Sequence, residues 1–112
     1  MIRRGDVWWI QWAASGEDAA ERRPGVVVQS DDLNASDLPT IVVVPCTGRL
    51  EWSERRGCVA LARDESGLPK ECVAQAMWIT TVARPAFAER AGKLSPSAFE
   101  AVLEAIDDAL GR

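Results

Sequence analysis

Two short segments carry residue types that act on phosphate esters: Arg22-Arg23-Pro24 and Pro45-Cys46-Thr47-Gly48-Arg49. Each adjoins an apolar run of β-forming residues, Val26-Val27-Val28 in one case and Ile41-Val42-Val43-Val44 in the other. Strands consecutive in sequence usually neighbour each other in space, so the two segments meet if they lie at the same end of a sheet. A guanidinium beside a hydroxyl suits a phosphodiester, whose transition state gathers negative charge on its oxygens. Taken singly, the same residues also read as a solvated strand flank and a turn hydrogen bond.

Other chemistries are narrowed by what the chain lacks. It contains 0 His and 0 Tyr. That excludes Ser-His-Asp triads, Cys-His proteases and nucleases that use imidazole as acid and base. It also removes the commonest zinc ligand. Any catalysis must run on Arg, Asp or Glu, Ser or Thr, Cys, or Lys. Neither GxxxxGK[ST] nor GxGxxG occurs, so phosphate-cradling glycine loops of those kinds are out. The 3 Cys (Cys46, Cys58, Cys72) include no CxxC pair and sit in apolar surroundings. They read as buried thiols in a reducing cytosol, and without His nothing activates them as nucleophiles. Asp31-Asp32 with Asp37 fits no cation-binding loop and reads as turn-forming. Of the 5 Trp, those at 8, 9 and 12 fall in a strand pattern that buries at least one face, whereas Trp52 stands among charges and is the better base-stacking candidate.

Thirteen Lys+Arg against seventeen Asp+Glu give a net charge of −4, the wrong overall sign for a protein coated by nucleic acid. Only Lys70 and Lys93 are lysines; the other cations are arginines. Arg makes planar, bidentate contacts with phosphate and stays charged at any working pH. A GC-rich genome also writes Arg in place of Lys, and that explanation stays open beside the chemical one.

The elements that must position these residues follow from the hydropathy pattern. One domain over residues 1–112 is expected, mostly β and closed by a C-terminal helix. Strands are expected at Val7 to Trp12, Val26 to Ser30, Thr40 to Val44, Cys58 to Leu61, Cys72 to Ala76 and Trp78 to Val82. Pro45 should end the third of them. Asp31 to Asn34 reads as a turn or a single helical turn, and the small, acidic segment Ala13 to Glu21 as a mobile surface loop. Several short strands divided by turn signals suggest a small barrel or a strongly curved sheet. Ser95-Pro96 supplies an N-cap and a first-turn Pro, and Gly111 supplies the stop. Between them Phe99, Val102, Leu103, Ile106 and Leu110 fall on one helix face, with Glu100, Glu104, Asp107 and Asp108 turned to solvent. No secretory signal and no membrane-length apolar stretch is read, so a soluble cytoplasmic protein is expected.

Four of these segments, in this order, are similar to a known family. Arg4-Gly5-Asp6-Val7-Trp8 resembles the opening strand of the MazF/PemK toxins, and Arg23-Pro24-Gly25-Val26-Val27-Val28 resembles their second-strand signature. Val44-Pro45-Cys46-Thr47 resembles the end of their third strand, and Gly57-Cys58-Val59-Ala60-Leu61 also looks related. Order, spacing and chain length agree over nearly the whole sequence. The resemblance implies a small SH3-like β-barrel with a C-terminal helix, usually homodimeric. It implies a toxin of a type II toxin–antitoxin module: a metal-independent endoribonuclease, without a cofactor, that cuts single-stranded RNA at short sequences. The RNA lies in a dimer groove, and the disordered tail of the cognate antitoxin occupies that groove to inhibit.

By motif, Arg23 and Thr47 match the family's catalytic Arg and Thr, and the loop from Ala13 to Glu21 matches the mobile segment over the site. Arg22, Arg49, Trp52 and Arg55 are the expected RNA-binding set. Attack of the 2′-OH on the adjacent phosphorus would give a 2′,3′-cyclic phosphate, with Arg23 stabilising the phosphorane and Thr47 holding a phosphate oxygen. Arg, with a pKa above ~12, is a poor base, which leaves the group that takes the 2′-OH proton unassigned. Two departures stand out. Met77-Trp78-Ile79-Thr80-Thr81 replaces a frequent Gln followed by a basic residue, and the loop lacks a Gln-Gly-Gly stretch, so no role is carried to Glu17 or Glu21. The first departure keeps two alternatives in view. One is a non-catalytic binding toxin on the same barrel, like the related CcdB toxins that grip DNA gyrase. The other is a degenerate toxin that sequesters antitoxins.

Overall fold

The computed structural model describes residues 1–12 and 22–112. The Ala13 to Glu21 segment therefore lies outside the described residues. Strands β1 (Asp6–Gln11), β2 (Arg22–Val27) and β3 (Thr40–Thr47) form an antiparallel centre. β1 to β2 is registered by Val7↔Val26 and Ile10↔Arg23, and β2 to β3 by Gly25↔Pro45 and Val27↔Val43. Strand β7 (Phe87–Lys93) pairs with the outer edge of β1. On its other edge β3 takes two partners in turn: β6 (Thr80–Ala83) along Thr40 to Val43, then β5 (Cys72–Gln75) at Cys46 and Thr47. Strand β4 (Cys58–Leu61) completes the hairpin with β5.

Strand alternation explains why the central sequences are apolar nearly throughout. Val7, Val26, Val44 and Cys46 share one face and pack with Leu61, Cys72, Ala98 and Val102. Ile10, Val27, Ile41 and Val43 share the opposite face and pack with Val82, Trp8, Trp12 and Phe87. Both faces of the central strands are thus buried. β6 and β7 lie at the two ends of the path β6-β3-β2-β1-β7 and are joined by a single 3₁₀ turn, Arg84–Ala86. The sheet therefore curls around the second cluster, helped by register shifts between β1 and β7 that sharpen its twist. Among the described residues no β6–β7 ladder closes it, so the expected barrel is a strongly curled, open sheet.

Helix α1 (Asp31–Asn34) is the single helical turn expected, with its Asp31 carboxylate accepting the Arg4 backbone N–H at 2.8 Å. Helix α2 (Arg63–Ser66) ends at Gly67, where φ is +78°. There the chain passes so close to β7 that a Cβ on Gly92 would sit 2.7 Å from the Ser66 carbonyl oxygen. Helix α3 (Pro96–Leu110) begins with the Ser95 hydroxyl accepting the Ala98 N–H and stops at Gly111. Its buried side carries Ala98 and Val102, with Phe99 and Ile106 packed alongside. Leu110, expected on that side, is 62% exposed because it lies in the last turn, beyond the packed part of the helix. No described helix is long and apolar enough to cross a membrane.

Four expectations shift. β2 begins at Arg22 rather than Val26, because β1 continues to Gln11 and pairs with it. β3 runs through Pro45 to Thr47; the Pro falls where the strand leaves β2 for β5, a junction at which a missing N–H costs least. The strand expected from Trp78 begins at Thr80, since Ala76–Trp78 is a 3₁₀ turn closed by Ile79 N–H to Ala76 O at 3.1 Å. β7 is absent from the sequence reading. It is an edge strand with exposed Ala88, Glu89 and Arg90, tied to β1 by Arg90 Nε on the buried Asp6 carboxylate at 3.2 Å.

Candidate active site

Arg23 and Thr47 lie at the same end of the sheet because β2 and β3 are antiparallel. The last bonded pair is Gly25↔Pro45. Carried two residues further, that register sets Arg23 across from Thr47, and the even step leaves both on the face of Ile10, Val27 and Val43. Arg23 is held from the β1 side: its backbone pairs with Ile10, and its carbonyl accepts the Trp12 indole N–H at 3.2 Å. Thr47 pairs with Val73 of β5, and its Oγ1 accepts the Arg49 backbone N–H at 3.3 Å. That bond occupies an acceptor position and leaves the hydroxyl proton to donate. An arginine and a hydroxyl donor thus share one face at one end of the sheet, with Arg23 exposed and Thr47 half-buried. Beside Gly48 and Leu50 a cleft of about 1020 Å³ opens, its charged lining balanced between Arg63 and Lys70 on one hand and Asp64 and Glu71 on the other.

The other expected residues divide. Arg49, Trp52 and Arg55 come together on and at either end of the 3₁₀ turn Leu50–Glu54, just beyond Thr47. The Trp52 ring has the Arg55 guanidinium 4.5 Å from its centroid and that of Arg49 at 5.3 Å. Arg49 also lies 3.9 Å from the exposed Glu51 carboxylate. Arg22 goes elsewhere. One residue from Arg23, it falls on the opposite face of the strand and pairs with Glu89 of β7 at 3.6 Å.

Two tryptophans of this region carry contacts that the sequence does not show. Trp12, expected in the core, does pack against the Ile10 cluster, and its indole N–H also reaches the Arg23 carbonyl. Trp78, expected inside a strand, lies on the 3₁₀ turn, which presents it 59% exposed, its ring centroid 6.5 Å from that of Trp52. The three thiols are free. Cys46 and Cys72 are buried in contact with each other, which together with burial drives the Cys46 thiol far up and keeps it protonated. Cys58 is only half-buried, and burial raises it as well. Among the described residues no three His, Cys, Asp or Glu side chains gather as a metal-ligand group.

A family model for the PemK-like, MazF-like toxins of type II toxin–antitoxin systems matches residues 3–110. The chain belongs to this family. Among curated relatives, Endoribonuclease MazF9 of Mycobacterium tuberculosis is 33% identical over 115 residues, covering 98% of this chain and 93% of that protein. Endoribonuclease MazF6 of the same organism is 31% identical over 98 residues, covering 87% and 86%. Among solved structures, a MazE–MazF crystal structure from Deinococcus radiodurans superposes with a TM-score of 0.80 at 20% identity, covering 98% of this chain and 96% of that one. At that identity the superposition bears on the fold alone. It gives this PemK/MazF-family chain the same architecture as its solved neighbours, C-terminal helix included.

Proposed function

We propose that residues 1–112 form one toxin domain of a type II toxin–antitoxin module, acting as an endoribonuclease on single-stranded RNA. The observation that supports the reading is the β2–β3 register: continued past its last pair, Gly25↔Pro45, it brings Arg23 and Thr47 to the same end of the sheet and the same face. The 2′-OH of the RNA attacks the adjacent phosphorus, the bond to the 5′ oxygen breaks, and a 2′,3′-cyclic phosphate and a free 5′-OH result. The 2′-OH proton passes to solvent, the leaving oxygen gains one from Arg23, and Arg23 is re-protonated from solvent, so the step is a transesterification that consumes no water. Arg23 stabilises the charge gathering on the phosphorane, and donates to the leaving oxygen. Thr47 donates its hydroxyl to a non-bridging oxygen.

Arg49 and Arg55, gathered about the Trp52 ring just along the chain from Thr47, grip the RNA beside the scissile phosphate; Arg22 engages it only by exchanging Glu89 for phosphate. Unstacked bases are offered by single strands and not by duplexes, which gives the strand preference. An antitoxin tail with acidic side chains competes for the same cations, and a homodimer in the cytoplasm is the working form. The experiment is incubation of purified protein with a long RNA in EDTA. Discrete fragments ending in 5′-OH are expected, and Arg23→Ala should slow them about 100-fold or more. No fragments, or an Arg23→Ala protein that cuts like the wild type, overturns the reading.

A further inference from the structure

We infer that Trp78, buttressed by Trp52, is the surface on which a base of the single-stranded RNA stacks; this rests on the ribonuclease reading above. Trp52 is the residue its sequence setting favoured for that task, yet its ring is already engaged. Two guanidinium groups lie within 5.3 Å of its centroid, and the Trp78 ring approaches at a 55° tilt. The free aromatic face belongs to Trp78, on the turn Ala76–Trp78, with Met77 exposed beside it.

The chemistry around this indole selects its occupant. A nucleotide offers a π face and a phosphate together. Here an exposed ring stands next to a pair of guanidiniums that Trp52 holds in place, and Arg55 pairs with no carboxylate among the described residues. The Asp108 carboxylate, which shares a shallow cavity with Met77, is neutralised by a two-point bond from Arg56. Arg49 then links the platform to the reacting end, because its backbone N–H is bonded to Thr47 Oγ1. A base on Trp78 therefore fixes where the strand enters the Arg23–Thr47 site. Trp52 is a positioning residue that aims Arg49, Arg55 and Trp78.

The test compares wild type, Trp78→Ala and Trp78→Phe on a single-stranded RNA carrying one mapped cut. A 2′-O-methyl oligonucleotide of the same sequence, which lacks the attacking hydroxyl, serves as the binding probe. Stacking on an aromatic ring predicts that Trp78→Ala binds the probe about five- to 150-fold more weakly, with KM raised, kcat little changed and Trp78→Phe close to wild type. Replacing one nucleotide by an abasic residue should weaken the wild type to a similar degree and leave Trp78→Ala no weaker than before. Unchanged probe affinity in a Trp78→Ala protein that still cuts overturns this inference alone. So does a loss of self-association by sedimentation at unchanged affinity, which would make the face a contact between copies. A wild type that cuts no RNA overturns the ribonuclease reading and this inference with it.

Discussion

Replacing Thr47 by Val separates the chemical role of the hydroxyl from its structural one. Val keeps the shape of the side chain and favours a strand, so packing against β5 is preserved. What is lost structurally is a single hydrogen bond, from the Arg49 N–H at 3.3 Å. That amide belongs to an exposed residue, and water replaces the lost acceptor, so the cost sits near the low end of the usual range, about 0.5 kcal/mol. For a domain of this size that lowers Tm by roughly 2–4 °C. Removing one donor from a developing oxyanion costs about 100- to 1000-fold in kcat, or roughly 2.7–4 kcal/mol. The catalytic effect should exceed the structural one by about five-fold or more in free energy. The measurement pairs single-turnover cleavage of a single-stranded RNA in EDTA with thermal melting followed by circular dichroism. Thr47→Ser, which keeps the hydroxyl, should recover most of the rate. Thr47→Val cutting within about three-fold of wild type would refute the assignment, as would a rate loss shared equally by Thr47→Ser.

Four further outcomes are expected. Trp12→Phe removes the indole N–H from the Arg23 carbonyl and keeps the ring, so cleavage should slow about 2- to 12-fold while urea midpoints fall slightly; an unchanged rate would show that this bond does not place Arg23. Gly92→Ala meets only backbone, at 2.7 Å from Ser66 O and 3.1 Å from Gly67 Cα, and should destabilise by about 1–3 kcal/mol in urea melts; unchanged stability would mean the α2–β7 approach yields. The Arg56 guanidinium holds the Asp108 carboxyl below its ordinary value, so the pair's contribution is present above about pH 4, the unfolded value, and is lost as pH falls through the lower folded one. Acid melts of Asp108→Asn should lack that increment, and 1 M salt should erase the difference. If Arg23, Arg49 and Arg55 each displace one counterion from a single strand, log affinity should fall with log salt at a slope of about −2, and Arg55→Gln should reduce it by about 0.7; a slope near zero would remove these residues from the interface.

The sequence made the centre of the fold legible because buried strands leave a two-sided signature. Val26-Val27 and Ile41 to Val44 are apolar at odd and even positions alike, which only a strand covered on both faces requires. α3 was equally plain from its Ser95-Pro96 start and its spacing. β7 escaped because an edge strand with Glu89 and Arg90 outward shows no alternation, and its anchor is a buried carboxylate on another strand. The same logic divides the site. Arg23 and Thr47 were visible as residue types next to strands, but their juxtaposition needs the register, which Pro45 obscured by reading as a stop. Arg22 and Arg23 look equivalent in sequence, and strand parity alone sends one to Glu89 and the other to the site. Trp52 and Trp78 differ in exposure through the 3₁₀ turn at Ala76, for which a short run of mixed residues gives no periodic cue.

The net charge of −4 and a phosphate-binding site are reconciled by the same sheet. α3 packs on the face carrying Val44 and Cys46, and its exposed Glu100, Glu104 and Asp107 point away from that face. Arg23 and Thr47 belong to the opposite face. A packed layer of roughly 10 Å and most of a helix diameter, also about 10 Å, therefore separate that acidic surface from the reacting phosphate. This is about two Debye lengths at physiological ionic strength, so the acids act weakly there. Asp108 of α3, which lines a cavity together with Met77 of the Trp78 turn, already carries Arg56 as its counterion. An acidic molecule can thus carry Arg23, Arg49 and Arg55 apart from the acidic side of α3, which repels nucleic acid. Electrostatics favours a confined RNA path over non-specific coating.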